Sequence, residues 1–334
     1  MTSGDEDQDA GPALEALTDL ATPWCVHVVA TLRIADRVAA GVTGIAALAA
    51  AAGCDEHALH AVLGHLVARG VFTEPAPGRF ALNAAAERIR DATPFLDLDG
   101  IGGRLAGAWS TLPAWVRTGE PAYARQFGLP FWEDLAADPH LAASFDDLIG
   151  PGGHGTPDAR LELADGWDGV AHVVDVGGGT GAMLTELLRR HPGLRGTLVD
   201  LPGTVARAAE VDRAPDVAAR LAFAGQSFFD PLPAGADLYV IRHVLNDWPE
   251  RETVAILRRC ADAARPGGRV AVLGGVAPDD APRRLDPEML LVGGRTSSLA
   301  RFREQAREAG LEVVAAGRQP IGEFVVDCRP VVSG

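Results

Sequence analysis

The sequence predicts an α/β protein in which a mainly helical N-terminal region precedes a domain built on a mostly parallel sheet. Three observations support this prediction. Apolar residues recur at helical spacing from about residue 13 to residue 92. From about residue 170 onward, strand-like and helix-like runs alternate, which is typical of a parallel sheet wrapped by helices. The last two strand-like runs lie closer together, as expected for a terminal antiparallel pair.

The first elements predicted are short helices that end in a hairpin. Residues 1–12 are acidic and polar and are expected to form a disordered tail. Helical spacing runs from Leu14 to Val38, and a new helix is expected to start near Thr22-Pro23. Two helices, a strand, a turn and a second strand follow: Thr43–Ala52, Asp55–Arg69, Gly70–Glu74, Pro75–Gly78 and Arg79–Leu82. This is the winged-helix pattern, which we assign to residues 13–92.

The charge of the chain bears on what the winged helix does. The formal net charge is −15, and every basic side chain is arginine because the sequence contains no lysine. An acidic protein repels nucleic-acid phosphates, so we expect a packing or dimerisation module and keep a ligand-responsive DNA-binding regulator as a remote alternative. The absence of lysine also excludes Schiff-base and P-loop chemistry.

The chain carries no sign of a membrane, disulfide or metal protein. No apolar stretch is long enough to cross a bilayer, and the N-terminus lacks the basic and apolar parts of a signal peptide, so a cytoplasmic protein is expected. The four cysteines are scattered without a C-x-x-C pair, which predicts neither a disulfide framework nor a zinc site: Cys25, Cys54, Cys260 and Cys328.

Residues 93–165 are predicted to form a helical linking segment that is rich in aromatic residues. Most such aromatics belong to a core, but their concentration between two domains makes some of them candidates for lining a pocket for a flat, apolar substrate. The pocket candidates are Trp109, Phe131, Trp132 and Phe145, joined from later in the chain by Asn246 and Met289.

The alternating region, residues 166–334, is predicted to form the second domain. Its helix-like runs include Gly181–Arg190 and Glu250–Ala264. Its strand-like runs are His172–Val176, Gly196–Val199, Arg220–Phe223, Asp237–Ile241, Arg269–Leu273, Glu312–Ala315 and Glu323–Cys328.

A glycine-rich loop follows the first of these strands. Gly177, Gly179 and Ala182 fit the G-x-G-x-x-A pattern of nucleotide-binding loops, a weak signal when taken alone. The glycines let the backbone turn sharply and approach a ligand, and the helix that starts near Gly181 offers unpaired amides. The pattern therefore predicts a Rossmann-like domain that binds a nucleoside cofactor.

Two acidic residues favour S-adenosylmethionine over NAD as that cofactor. Asp175 lies inside the strand before the glycines, where a carboxylate suits an ammonium group and would repel a pyrophosphate. Asp200 ends the second strand and is placed to accept both ribose hydroxyls. The alternative interpretation, that both are ordinary loop acids, is less consistent with their joint placement.

Several motifs make the chain resemble a known family. They include Val174-Asp-Val-Gly-Gly-Gly-Thr-Gly181, Ser227-Phe-Phe-Asp-Pro-Leu-Pro233, Leu245-Asn-Asp-Trp248 and Met289-Leu-Leu-Val-Gly-Gly294. Together they resemble the plant- and bacterial-type small-molecule O-methyltransferases, especially the bacterial members that modify aromatic polyketides. The resemblance implies a class I methyltransferase domain, an N-terminal domain that dimerises, and a homodimer.

The resemblance also implies a set of cofactor contacts. Asp200 would bind the ribose, and Arg242, which replaces the usual lysine, would reach the cofactor carboxylate as a bidentate donor. The residues expected to hold the methionine part are Gly177, Gly179 and Gly181. Those expected beside the adenine are Leu201, Ser227 and Phe228.

The sequence departs from the family where the catalytic groups are expected. Asn246 stands in place of the histidine that acts as general base, and an asparagine cannot accept a proton at neutral pH. Gly274 and Thr296 stand where two supporting acids are expected. Two other histidines are candidate bases, His243 and His154, but a structural role is favoured for both.

These departures leave two functions to consider. A general base adds about 10²–10⁴-fold to a rate, whereas positioning supplies much of the acceleration of methyl transfer from a sulfonium. The main hypothesis is therefore an S-adenosylmethionine-dependent O-methyltransferase of an aromatic or polyketide-derived natural product, with Asn246 orienting the acceptor. The alternative is a member that binds the cofactor but decarboxylates, hydroxylates or cyclises its substrate.

Overall fold

The computed structural model describes residues 13–149, 157–264, 267–282, 285 and 291–331. The expected tail, residues 1–12, lies outside them. The chain forms two compact units, Met1–Arg104 and Leu105–Gly334, and the boundary falls inside one helix, Ile101–Ala108.

The N-terminal unit consists of helices and one hairpin. In chain order its described elements are α1 (Leu14–Leu17), α2 (Ala21–Thr31), α3 (Ile34–Ala39), α4 (Ile45–Ala52), α5 (Glu56–Ala68), β1 (Thr73–Ala76), β2 (Arg79–Ala81), α6 (Ala84–Asp91), α7 (Thr93–Leu96) and the start of α8 (Ile101–Ala108). The helix pair α4–α5 and the antiparallel hairpin β1–β2 occur where the sequence predicts them. Asp55 accepts the amide of Ala58 and so caps α5.

Two boundaries in this unit differ from the sequence prediction. The run Leu14–Val38 is broken a second time at Arg33, whose φ of 52° is left-handed and separates α2 from α3. The first hairpin strand was predicted from Gly70, but Gly70 and Phe72 have φ of 76° and 63° and therefore turn the chain before β1 begins. Both differences come from left-handed residues, which apolar periodicity does not reveal.

The C-terminal unit begins with helices that precede the sheet. After α8 come a 3-10 turn (Trp109–Thr111), α9 (Leu112–Thr118), α10 (Tyr123–Phe127), α11 (Phe131–Ala137) and α12 (Pro139–Ile149). This agrees with the helical segment expected from the sequence.

Seven of the described strands form one sheet. They are β3 (His172–Val176), β4 (Arg195–Asp200), β5 (Leu221–Gly225), β6 (Leu238–Arg242), β7 (Arg269–Leu273), β10 (Leu311–Arg318) and β11 (Phe324–Pro330). Their order is β10-β11-β7-β6-β3-β4-β5, and β11 is antiparallel to both of its neighbours while the other pairs are parallel. The predicted Rossmann-like sheet with a terminal antiparallel pair is confirmed.

Helices cover both faces of this sheet. They are α13 (Ala182–Arg190), α14 (Pro202–Glu210), α15 (Pro215–Ala218), α16 (Glu250–Ala263) and α17 (Leu299–Glu308), with a 3-10 turn at Leu245–Asp247 and a short parallel pair, β8 (Val276–Ala277) and β9 (Ser297–Ser298). Because side chains alternate along a strand, neighbouring residues of β3 pack in two different hydrophobic cores. Val173 packs in the core that includes residues of α13. Val174 packs in the core that includes residues of α16 and α17.

The strand order reverses between β3 and β6. From β3 the chain proceeds outward through β4 and β5, and it then returns to place β6 on the other side of β3. The loops that follow β3 and β6 therefore diverge, and a crevice opens at the carboxyl ends of these strands. Ligands of open α/β sheets bind at such a reversal.

Among the described residues, no helix is long and apolar enough to cross a membrane.

We predict that Gly196→Ala destabilises the C-terminal unit by about 1–3 kcal/mol, the usual cost of overpacking a core. A Cβ atom at position 196, on β4, would lie 2.8 Å from Cδ1 of the buried Leu184. Gly193→Ala is the matched control, since no atom of the described residues lies within 4 Å of a Cβ atom there. Urea unfolding measures both variants, and equal stabilities would contradict the packing described for β4 and α13.

Candidate active site

The glycine loop after β3 is shaped by three left-handed glycines. Gly177, Gly179 and Gly181 have φ of 70°, 59° and 81°, which residues with a side chain rarely adopt. A Cβ atom at position 177 would lie 2.7 Å from Cγ2 of Val244, so this part of the loop has no room for one. Gly181 directly precedes α13. The predicted loop glycines are thus required by backbone geometry.

Arg213 holds this loop in place, a role that no sequence motif indicates. Its Nη2 donates to the carbonyl of Thr180 at 2.6 Å, and its Nε donates to the hydroxyl of Thr185 at 3.0 Å. Its Nη1 donates to the carbonyl of Ala208 at 2.6 Å, at the end of α14. One guanidinium therefore ties the loop, α13 and α14 together. The residue lies in a connection without a motif, so the sequence offered no signal for it.

Asp175 lies beneath the glycine loop, and only 1 % of its surface is exposed to solvent. A Cβ atom at Gly178 would lie 2.5 Å from its Oδ2, which has no hydrogen-bond partner within the part of the chain that is described. Burial raises the pKa of this carboxyl to about 7, with the Asp200 carboxylate raising it further and the Arg242 charge and the Leu184 amide opposing. Asp175 is therefore a buried carboxyl group whose ionised form would be stabilised by a nearby positive charge.

Asp200 lies at the carboxyl end of β4 and is already held by two amides. Its Oδ2 accepts the amide of Gly179 at 2.8 Å, and its Oδ1 accepts the amide of Leu201 at 2.7 Å. Burial raises its pKa to about 6 despite these two hydrogen bonds. The carboxylate is thus fixed against the glycine loop, and each oxygen keeps lone-pair capacity for a further donor.

The residues expected beside the adenine lie around the same end of the sheet. Leu201 is exposed and begins the turn into α14. Ser227 accepts the amide of Phe229 at 3.2 Å through its hydroxyl oxygen, which orders the loop after β5. The ring of Phe228 lies 3.4 Å from the Cβ position of Gly177. Gly177 and Phe228 are therefore neighbours, and their contribution to an adenine site stays a prediction.

An aromatic cluster adjoins this site. We define it as Phe131, Trp132, Phe145, Phe228 and Trp248, whose ring centroids lie 4.9 to 6.1 Å from those of neighbouring members. Trp132 stacks on Trp248 with an interplanar angle of 14°, and the other pairs meet edge to face. The cluster joins α11 and α12 to the loops after β5 and β6.

The structure brings three of the predicted pocket residues together and leaves others apart. Phe131, Trp132 and Phe145 belong to the aromatic cluster, whereas Trp109 is exposed in its 3-10 turn. Two further predicted residues, Met289 and His154, lie outside the described residues.

Asn246 lies in the 3-10 turn after β6, with its amide group oriented by Asp247. Its Nδ2 donates to Asp247 Oδ1 at 2.8 Å, and an ionised carboxylate accepts only from a donor, so the amide cannot be reversed. Its Oδ1 is buried and has no partner among the described residues. Pro249 occupies the N-cap position of α16, so Asp247 lies before the helix and orients Asn246.

Steric constraints surround the positions where the family carries acids. Gly274 has a φ of 73°, and a Cβ atom there would lie 2.5 Å from Nδ1 of His243. Thr296, the other position, is exposed. A Cβ atom at the nearby Gly294 would overlap the carbonyl oxygen of Asn246. The turn that carries Asn246 is therefore packed directly against glycine backbone.

Glu323 engages both basic residues at the end of β6. Nε and Nη2 of Arg242 donate to its Oε1 at 3.0 and 2.8 Å, and Nε2 of His243 lies 3.6 Å from its Oε2. Burial raises the pKa of Glu323, but the neighbouring His243 and Arg242 outweigh it, so the pKa lies below its usual value. Arg242 is predicted to bind the carboxylate of the cofactor. In the structure two of its nitrogens donate to one carboxylate oxygen of Glu323.

Comparisons with known proteins identify the family of this chain. Residues 109–312 match the family model described as an O-methyltransferase domain. The chain is 44 % identical to 2,7-dihydroxy-5-methyl-1-naphthoate 7-O-methyltransferase of Streptomyces carzinostaticus, over 91 % of this chain and 93 % of the relative. The chain belongs to the O-methyltransferase family.

Two further proteins that resemble this family member are named for different reactions, one a hydroxylation and the other a methyl transfer. Aclacinomycin 10-hydroxylase RdmB of Streptomyces purpurascens is 38 % identical over 92 % of this chain and 86 % of the relative. The O-methyltransferase NcsB1 from neocarzinostatin biosynthesis, solved with S-adenosylmethionine and 2-hydroxy-5-methyl naphthoic acid, is 42 % identical with a TM-score of 0.88, covering 96 % of this chain and 100 % of that one. The predictions of family, enzyme class and S-adenosylmethionine as cofactor are confirmed.

The residues at the sheet edge fit this cofactor. At Gly179 the loop leaves open space, since among the described residues the nearest atom to a Cβ there is Cδ1 of Ile149 at 3.9 Å. The unpartnered Oδ2 of Asp175 provides negative charge below the loop, and Asp200 provides acceptors for ribose hydroxyls. These residues match the chemistry of a nucleoside that carries an amino acid.

We predict that the affinity for S-adenosylhomocysteine falls as the pH is lowered from 8 to 5. The pKa of Asp200 in the free protein is about 6 and that of Asp175 about 7, and the ionised carboxylates bind the ribose donors and the ammonium best. Binding therefore releases protons in this pH range. Isothermal titration across the range measures the effect.

Asp200→Asn is the control for this pH dependence. It should bind more weakly at pH 8 and show a smaller change with pH, because one of the two titrating groups is gone. An affinity of the unaltered protein that is constant from pH 5 to pH 8 would contradict the assignment.

Proposed function

We propose that this enzyme methylates a hydroxyl group on a fused-ring aromatic carboxylic acid, the class to which naphthoates belong. The 44 % identical relative is named as a naphthoate 7-O-methyltransferase, and NcsB1 was solved with a naphthoic acid. The single observation that carries the proposal is the fixed amide of Asn246, which presents an acceptor beside an aromatic cluster. Such an acceptor can bind the hydroxyl group of a substrate, which donates to it.

The aromatic cluster supports a flat substrate. The stacked indoles of Trp132 and Trp248 and the ring of Phe228 provide π faces and edges at the carboxyl end of the sheet. Aromatic rings pack well on such faces, and their apolar area contributes binding energy that does not depend on ionisation. Buried within this cluster, Nε1 of Trp132 has no partner among the described residues, so it offers a donor to a carbonyl or carboxylate oxygen.

The cofactor is expected to lie between the glycine loop and Asp200. Asp200 would bind the ribose, Asp175 would favour the ammonium, and Gly177 would let the chain approach closely. Leu201 and Phe228 are expected to flank the adenine. When bound, S-adenosylmethionine supplies a methyl group activated by its sulfonium, so the enzyme's main task is to hold the acceptor in line.

Asn246 is proposed to orient the acceptor and not to take its proton. With Asp247 holding Nδ2, Oδ1 accepts the substrate O–H and leaves an oxygen lone pair free to react. Since an amide has no basicity at neutral pH, the proton leaves to solvent. His243 is not proposed as the base, because its side chain is 51 % exposed and lies beside Glu323.

A second candidate function is non-methylating chemistry in the same pocket, such as hydroxylation. It is favoured by the 38 % identity to a 10-hydroxylase and by the absence of the family base at Asn246. Incubation with methyl-labelled cofactor separates the two. Label recovered in the product supports methylation, and a changed product without label supports the second function.

The assembly is proposed to be a homodimer formed through the N-terminal unit. Leu14, Leu17 and Leu20 are 69 %, 66 % and 73 % exposed, and Trp24 nearby is also exposed. A cluster of exposed large apolar side chains marks a protein interface more often than free surface. A cytoplasmic location stays a prediction from the sequence.

We predict that Asn246→Ala lowers kcat by about 10- to 100-fold, the effect of a misaligned acceptor. The dissociation constant of S-adenosylhomocysteine should stay unchanged, because Asn246 acts on the acceptor. Without a side-chain base, kcat/KM should rise with pH up to the pKa of the acceptor hydroxyl. Asn246→His should give a modest gain below that pKa. Methyl transfer is measured by product mass.

Asp247→Asn is the companion variant, since it removes the charge that orients Asn246. It should lower kcat in the same direction. If the rate of the unaltered enzyme levels off at a pH that does not depend on the acceptor, another side chain acts as base and this mechanism is wrong.

We predict that the double substitution Leu17→Glu and Leu20→Glu converts the dimer to a monomer. Two charges in a desolvated interface cost more than its apolar contacts contribute. Light scattering after gel filtration measures the mass. Val331→Glu, an exposed apolar residue of the other unit, should leave the dimer intact. A double variant that remains dimeric would place the interface elsewhere.

A further inference from the structure

The aromatic cluster and the turn beside it contain two buried polar atoms that have no hydrogen-bond partner among the described residues. They are Nε1 of Trp132, on α11, and Oδ1 of Asn246, in the turn after β6. We propose that Trp132 determines substrate specificity: its Nε1 donates to the carboxyl group of the aromatic substrate and so selects which hydroxyl reaches Asn246. This inference rests on the proposed function, because it concerns the same substrate.

The first part of the argument is that a buried indole N–H is rarely left without an acceptor. Trp167, in the same unit, shows the usual arrangement, since its Nε1 donates to the carbonyl of Leu161 at 2.7 Å. Among the described tryptophans, Trp132 is the one whose buried Nε1 lacks a partner. A buried donor without an acceptor is costly, and a ligand oxygen that accepts from it removes that cost. Trp132 therefore favours a ligand that carries an acceptor.

The second part is that neighbouring rings hold the Trp132 indole in place. It stacks on Trp248, with ring centroids 6.1 Å apart and an interplanar angle of 14°. Phe131 and Phe145 meet it edge to face, with centroid distances of 4.9 and 5.7 Å. Rotating the indole toward another acceptor would break these contacts. Nε1 is therefore a donor with a fixed position.

The third part is that Trp248 links the two unpaired atoms to the cofactor side of the sheet. Trp248 stacks on Trp132 and follows Asn246 by two residues. Its ring also meets Phe228 edge to face, and the Phe228 ring lies 3.4 Å from the Cβ position of Gly177 in the glycine loop. The two unpaired atoms do not bond to each other, so each needs a partner of its own. One aromatic molecule with a donor and an acceptor can supply both.

The opposite hydrogen-bonding roles of the two atoms set the orientation of that molecule. Nε1 of Trp132 can only donate, and Oδ1 of Asn246 can only accept. A carboxylate beside Asn246 would place acceptor against acceptor, and the charge of Asp247, which holds the Asn246 amide, would repel it further. The carboxyl group therefore binds Trp132 and a hydroxyl binds Asn246. In a ring with several hydroxyls, the position of the carboxyl group then determines which one is methylated.

The test compares Trp132→Phe with the unaltered full-length enzyme on two compounds. They are 2,7-dihydroxy-5-methyl-1-naphthoate, after which the 44 % identical relative is named, and the same diol without its carboxyl group. Isothermal titration is done in the presence of S-adenosylhomocysteine. Trp132→Phe should weaken binding of the naphthoate about 10- to 100-fold, the effect of losing one hydrogen bond to a charged group. Binding of the diol should change little, because phenylalanine keeps an apolar ring at this position.

The position of the transferred methyl group is the second measurement. The unaltered enzyme should give one monomethyl ether of the naphthoate, whereas Trp132→Phe should give both, because the ring can then bind in either orientation. A substitution that only destabilised the fold would lower the yield without changing the ratio of the two ethers. Chromatography of the products measures this ratio.

Asn246→Ala and Trp248→Phe are the matched controls. Both compounds carry the hydroxyl that Asn246 binds, and both pack on the apolar area that Trp248 contributes. Each of these variants should therefore weaken the two compounds alike. If Trp132→Phe also weakens them alike, Trp132 is only an apolar wall of the pocket and the inference is wrong. If Trp132→Phe fails to fold, benzothienylalanine at position 132, which keeps the bicyclic shape and replaces the N–H by sulfur, gives the same comparison.

The outcomes also separate this inference from the proposed methyl transfer. If the unaltered enzyme binds the naphthoate no more tightly than the diol, the carboxyl group is not recognised and the inference is overturned, whichever compound is methylated. Tighter binding of the naphthoate that Trp132→Phe abolishes supports the inference. The same result without transfer of label from methyl-labelled cofactor supports the inference and refutes methyl transfer as the function.

Discussion

The burial of one carboxylate at the end of the central strand organises the edge of the sheet where the cofactor is proposed to bind. Asp175 is enclosed by the glycine loop above it and the start of α13 beside it. A side chain at Gly178 would meet Asp175 Oδ2, so the loop can follow this path only as glycine. A buried negative charge is costly unless a positive charge compensates it, and in the proposed complex the ammonium group of the cofactor would provide that charge.

The rest of the site is arranged outward from that edge. Arg213 holds the back of the loop, Asp200 holds its front through the Gly179 amide, and the aromatic cluster lies around Phe228 and Trp248. Each of these groups is oriented by another protein group. In such a site the acceleration comes from alignment, which suits a reaction whose leaving group is already activated. The loss of a basic side chain at position 246 is therefore compatible with catalysis.

Much of the fold could be predicted from the sequence because burial on both sheet faces leaves long apolar runs. The strands His172–Val176 and Arg269–Leu273 match the prediction to the residue. The glycines and acids of the cofactor site were also recognisable, since their spacing follows from backbone geometry. Arg213 was not, because Thr180 and Thr185, which it binds, lie 33 and 28 residues away and a single charged residue carries no periodic signal. Arg242 was assigned to the cofactor without knowledge of Glu323, which lies 81 residues away and competes for it.

The packing of Gly274 and Gly294 limits how this active site can change. At position 274 a left-handed backbone and the ring of His243 leave no place for an acidic side chain, and at position 294 the carbonyl of Asn246 fills the space of a Cβ atom. An acid at position 274 would first have to displace the ring of His243. This acid therefore cannot be restored by a single replacement, whereas the position of the second acid, Thr296, is exposed. The family's base chemistry is thus separated from this enzyme by a steric barrier at position 274 as well as by the sequence difference at position 246.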